Sequence, residues 1–196
     1  MGEEAQPDSP RPLRADAARN RARLIEVAKS MFSEGGADTG LEAIAKAAGV
    51  GIGTLYRHFP TRDKLIEAVY RAETRNLSDA ASRLAERLPP VEALRAWLRL
   101  FVDYIATKRV MSPALASMVC GPSELYAEST ALIKAAIGSL VDRAVADGAI
   151  RLDIEPLDLL RALAGVAVIS SVPGWEDSAK RLVDILIAGV RVPPEA

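Results

Sequence analysis

Residues 41–59 read LEAIAKAAGVGIGTLYRHF, and the folding of this stretch decides the architecture around it. Leu41, Ile44, Ala45 and Ala48 recur at three- and four-residue spacing, which predicts a helix over 41–48 with one apolar face. Gly49, Gly51 and Gly53 follow within five residues. A second short helix, over 52–58, closes on Tyr56-Arg57-His58-Phe59, and Pro60 ends it because the residue before a proline avoids the helical region. Two short helices joined by a glycine-containing turn form a helix-turn-helix pattern. Ala45 and Ala48 are small enough for close helix approach, and Gly49 suits a left-handed helix end where a Cβ would clash. Leu55 and Phe59, four apart, can pack back on the preceding helices, leaving Gly53, Thr54, Arg57 and His58 to face outward. Gly53 allows backbone to come close to a groove or phosphate. Thr54, Tyr56 and His58 carry hydrogen-bonding groups for phosphate oxygens, and Arg57 can meet a phosphate or, bidentately, a guanine. Two residues read both ways. The Tyr56 ring can pack or its hydroxyl can contact phosphate; Ile52 is spaced for the core yet opens the helix, where it could touch a thymine methyl.

Outward from this stretch the chain reads as helix after helix. Residues 1–12 hold three acids and three prolines and are expected to be a disordered tail. A first helix over about 14–34 places Leu24, Ile25, Ala28, Met31 and Phe32 on one face and stops at Gly35-Gly36. Thr61 can cap a fourth helix from Arg62 toward Leu88, with Asp63 in its first turn and Pro89-Pro90 at its end. Further helices are expected over 91–108, 123–146, 156–171 and 176–191, with Met111-Ser112-Pro113 and Gly121-Pro122 bracketing a short one that reaches Cys120. The expected fold is all-α with about nine helices: a helix-turn-helix domain over 13–60 and a helical domain over 61–196.

Composition narrows the function. One Cys and one His exclude an intramolecular disulfide framework and a Cys-rich zinc site, and leave little for acid–base catalysis. No P-loop or metal-ligand spacing occurs, so an enzyme is disfavoured and no cofactor or metal is expected. No signal-like segment or 20-residue apolar run is present, which points to a soluble cytoplasmic protein. The net charge is −1, but it is unevenly spread: Arg11 to Lys64 hold ten Lys/Arg against six Asp/Glu, and the rest holds 15 against 20. A basic segment ahead of an acidic bulk suits an anionic partner at one end; ordinary surface charge gives the same count.

Leu24, AKSMFSEGG (28–36) and LEAIAKAAGVGIGTLYRHFPTRDKLIEAV (41–69) together resemble the N-terminal domain of the TetR family of bacterial transcriptional repressors. The resemblance covers about 14–75 and is carried by Phe32, Gly35-Gly36, Ile44-Ala45, Ala48-Gly49-Val50, the run Gly53 to Phe59, and Leu65. It implies that residues 52–58 form the recognition helix in a DNA major groove, with Gly51, Ile52, Gly53, Thr54, Tyr56, Arg57 and His58 at the interface. It further implies that Tyr56 and His58 hold phosphates. Arg62 sits where the family often places a phosphate contact, Lys64 is a weaker candidate, and Arg19 and Arg21 could reach the backbone or minor groove. Gly40 and Gly51 stand where Ser or Thr is common, so those caps offer no side-chain oxygen.

The last two helices are apolar over a wide arc, which calls for burial on two sides. A two-fold dimer through Leu160, Ala164, Val168, Leu182, Ile185, Leu186 and Gly189 explains this and matches the family, implying a palindromic operator. Trp97, Phe101, Tyr104, Ile105, Met111, Leu115, Met118, Val119, Tyr126, Ile133 and Leu163 are candidates to line a pocket for an apolar or amphipathic small molecule, and are equally suited to a plain core. By resemblance, that molecule would release a homodimeric repressor from its operator. The alternative is a helical adaptor that binds protein and neither DNA nor ligand.

Overall fold

The computed structural model describes residues 11–35, 39–116, 118, 123–169 and 174–192, with the side chains of 11–14 and 35 left aside. Eight helices follow one another among them: α1 (Arg11–Gly35), α2 (Leu41–Ala47), α3 (Ile52–His58), α4 (Arg62–Arg87), α5 (Pro90–Ala116), α6 (Ser123–Ala146), α7 (Pro156–Ile169) and α8 (Trp175–Val190). Of the expected disordered tail, 1–10 lie outside the described residues, and Arg11 and Pro12 instead open α1.

The chain divides into two compact units, Met1–Val69 and Tyr70–Ala196. Leu65, Ile66 and Val69 of α4 are fully buried and belong to the first unit. Within that unit α1, α2 and α3 pack on one another over Leu24, Ile25, Ala28, Phe32, Ile44, Ala45, Ala48, Leu55 and Phe59. Thr39 ties the approach to α2 onto α1 by donating to the Met31 carbonyl at 3.1 Å. Thr61 caps α4, its hydroxyl accepting from the Lys64 N–H at 3.2 Å.

In the second unit α5 packs against α6, α7 and α8, and α7 against both α6 and α8. Trp97 is fully buried at the centre, where its indole N–H donates to the Leu77 carbonyl at 2.8 Å and its ring stacks on Phe101. After α6, Ile150 bridges antiparallel to Arg191, so the connector to α7 closes on the end of α8. Pro90 and Pro156 each open a helix, the position where a missing N–H costs nothing.

One expected break does not occur. Met111-Ser112-Pro113 does not interrupt a helix; α5 runs through Pro113 to Ala116, so the separate short helix disappears. A proline inside a helix costs about 3 kcal/mol. Burial of Met111, Ala114 and Leu115 around it offsets that, at ~1.5–3 kcal/mol for each large side chain, and the proline itself is exposed. Val119 and Cys120 lie outside the described residues.

Candidate functional site

α3 is a short helix with a dry base and a polar outer face. Its N-cap is Gly51, at φ −69° and ψ 147°, with no side-chain cap bond; the Thr54 and Leu55 N–H groups donate to the Gly51 carbonyl instead. Gly49, at φ +65°, makes the left-handed turn out of α2 that a β-carbon would strain. Leu55 and Phe59 are buried, so the arc carrying Gly53, Tyr56 and Arg57 is turned to solvent. Tyr56 is 48% exposed and Ile52 39%, which places both rings and methyls outside the core. A Cβ at Gly53 would meet nothing within 4 Å, so the bare backbone there is open to an approaching surface. Thr54 and His58 are half-buried at the edges of this face.

The flanking cations differ in how they are held. Arg62 is tied into the fold, donating to the Thr39 carbonyl and lying over the Phe32 ring at 5.2 Å. It fastens the start of α4 to the segment before α2. Arg21 lies over the Phe59 ring at 5.2 Å while its side chain stays exposed. Lys64 pairs with Glu67 at 2.8 Å, and Arg19 pairs with Asp16. Both pairs are exposed one-turn contacts of the kind worth ~0–1 kcal/mol, which an incoming phosphate can outcompete.

The second unit holds a cavity of about 570 Å³, lined by Tyr70, Phe101, Tyr104, Ile105, Lys108, Arg109, Ser112, Ser129, Thr130, Ile133, Leu157, Leu160, Arg161, Ala164, Ala167 and Val168. Its size suits a small organic ligand. One wall is a buried hydroxyl network. Tyr104 donates to the Tyr70 oxygen at 3.1 Å, Thr74 meets the Tyr104 hydroxyl at 3.4 Å and donates to Ser129 at 3.3 Å, and Ser129 donates to the Leu125 carbonyl at 2.7 Å. Burial pushes the Tyr70 phenol up to about 12 and raises Tyr104 and Tyr126 as well, so all three stay protonated at neutral pH.

Four of the expected lining residues, Phe101, Tyr104, Ile105 and Ile133, face this cavity. Others do not. Trp97 and Leu163 belong to the hydrophobic core, and Met111 and Leu115 are buried away from the cavity. Tyr126 stands behind the wall, edge-on to Tyr70 at 5.7 Å between ring centres. Met118 is half-buried and outside the lining, and Val119 lies outside the described residues. Leu160, Ala164 and Val168, expected at a dimer face, line the cavity, and Leu160 is buried there. Several apolar residues on α7 and α8 are nonetheless exposed, alongside charged Arg161, Asp177 and Arg181: Val168 at the cavity edge is 83% exposed, Ile169 86% and Ile185 66%, with Gly189 exposed and Leu182 and Leu186 half-buried. The lining residues missed at the sequence level include Tyr70, Lys108, Ser112, Ser129 and Arg161. For Lys108 and Ser112 the signal was spacing: Phe101, Tyr104, Ile105, Lys108, Arg109 and Ser112 form one α5 stripe that continues through polar residues.

Residues 24–69 match the family described as bacterial regulatory proteins, tetR family, and residues 89–192 match the C-terminal domain described as transcriptional regulator SbtR-like. The chain superposes on the TetR transcriptional regulator SCO0520 from Streptomyces coelicolor with a TM-score of 0.79 and 47% identity, covering 89% of this chain and 99% of that one. A TetR transcription regulatory protein from Mycobacterium vanbaalenii matches with a TM-score of 0.77 and 35% identity, over 92% of this chain and all of that one (100%). The HTH-type transcriptional regulator UidR of Escherichia coli is 32% identical over 94 residues, which are 47% of this chain and only 42% of UidR. These relatives are regulators and not enzymes. With both units matched, the chain belongs to the TetR family of bacterial transcriptional regulators.

Proposed function

We propose that the protein is a homodimeric, ligand-responsive repressor that binds a palindromic operator through α3. The observation that carries this reading is the α3 face: Tyr56, Arg57 and the open backbone at Gly53 are turned outward on a base of buried Leu55 and Phe59. In a major groove this face puts Arg57 within reach of a guanine edge or phosphate, and Thr54, Tyr56 and His58 against phosphates. Ile52 is available to a thymine methyl. Arg19, Arg21 and Lys64 supply flanking charge, and Gly51 lets the backbone approach closely.

The exposed apolar side chains of α7 and α8 support a two-fold dimer, because groups as exposed as Val168, Ile169 and Ile185 gain by leaving water. The cavity supports an effector site. Its occupant would act by binding one of two dimer conformations more tightly than the other. Selection from a random duplex library, followed by titration of the enriched site at several salt concentrations, tests the reading. An enriched palindrome whose affinity falls steeply with salt is the expected outcome. No enrichment, or a Tyr56→Phe/Arg57→Ala double variant that folds and binds the site as tightly as the parent, would overturn it in favour of a protein-binding adaptor.

A further inference from the structure

We propose that the cavity takes an amphipathic anion, whose charge is bound by the Lys108 ammonium. The assignment rests on the reading of this cavity as the effector site. The lining is chemically lopsided: Phe101, Ile105, Ile133 and Leu160 give an apolar body, Lys108, Arg109 and Arg161 bring three cations, and no lining residue is a carboxylate. Two of the cations have other partners. Arg161 pairs with Asp158 at 2.6 Å, and Arg109, over the Trp175 ring at 5.3 Å, has a further interaction besides the ring.

Lys108 is different. Its ammonium sits over the Tyr126 ring at 4.6 Å and the Tyr70 ring at 5.8 Å, with no carboxylate at ion-pair distance among the described residues. Ring faces hold a cation in place electrostatically without consuming all three of its N–H donors. A neutral occupant would strip water from this half-buried charge and leave it without a counter-ion, which is unfavourable. A carboxylate or sulfonate on an apolar ring system turns the same burial into charge-assisted hydrogen bonds. The hydroxyls of Ser112 and Thr130 in the lining give the anion end further donors.

Two fluorescent probes of nearly the same shape test this in the full-length protein: anilinonaphthalene sulfonate, an anion, and N-phenylnaphthylamine, its neutral counterpart. The expected result is saturable binding of both, with the anion bound more tightly. Lys108→Met should weaken the anion about tenfold or more, the worth of one lost charge-assisted bond, and leave the neutral probe within about twofold. Lys108→Arg should keep the anion bound, and Ala164→Trp, which fills the cavity, should abolish both. If Lys108→Met, with an unchanged circular dichroism melt, binds both probes as the parent does, the anion assignment is overturned while the cavity reading stands. If neither probe saturates, or Ala164→Trp leaves both unchanged, the cavity reading itself fails and takes the assignment with it.

Discussion

The two units turn opposite sides of their helices to the world. In α3 the apolar residues Leu55 and Phe59 point inward and Tyr56 and Arg57 point out. Around the cavity the order is inverted: Tyr70, Tyr104, Thr74 and Ser129 carry hydroxyls inside, while Val168, Ile169 and Ile185 are apolar outside. The difference teaches what each surface is for. Polar groups outward on a rigid base suit a hydrated polyanion, which they can contact without being desolvated first. Polar groups inward have already been stripped of water and are satisfied by one another, so an occupant meets a preformed network, while in the proposed dimer the exposed apolar residues would face another copy of the chain.

The sharpest way to break this contrast is to remove the base of α3. Leu55→Ala should cost about 2–5 kcal/mol of stability, read in urea unfolding, because it empties a fully buried position in a small unit. Ile185→Glu attacks the apolar outside of the second unit; in the proposed dimer it should weaken self-association roughly a hundredfold, about 3 kcal/mol, by sedimentation equilibrium. Arg57→Ala should weaken the selected operator by ~1–3 kcal/mol in a binding titration and leave the cavity probes unaffected, since Arg57 is exposed and makes no core contact. Tyr104→Phe removes a hydroxyl shared by Tyr70 and Thr74 and should cost ~0.5–1.5 kcal/mol of stability with operator affinity unchanged.

A further effect lies outside the physiological range, in alkali. Tyr70 holds its proton up to about 12, above the ordinary 10.0, so the folded state binds that proton more tightly than the unfolded chain. Its contribution to stability is full below pH 10 and is lost as the pH rises through about 12. Urea unfolding of the Tyr70→Phe variant should fall less steeply over that window than the parent.

Legibility followed the same division. The α3 region is contiguous, and its spacing alone placed Leu55 and Phe59 inward and gave Gly49 its left-handed turn. The cavity draws on α4, α5, α6 and α7, from Tyr70 to Val168, so no local pattern spans it. Following only apolar residues along α5 leads to Met111 and Leu115, whereas the cavity face runs on through Lys108, Arg109 and Ser112. Val168 and Leu160 share an α7 stripe, yet one is exposed and the other buried; burial depends on neighbours that the sequence does not bring together. The helix predicted to break at Pro113 was a different kind of miss, in which packing outweighed a local signal.

That proline carries a consequence for how α5 can move. Having no N–H, Pro113 cannot supply the rung that would normally cross to the Arg109 carbonyl one turn earlier. The helix therefore has a seam at the very turn where it lines the cavity with Arg109 and Ser112. A rod with one weakened joint bends at that joint, so a molecule pressing on the cavity wall would concentrate its strain in the last turns of α5 and leave the stretch around Trp97 straight.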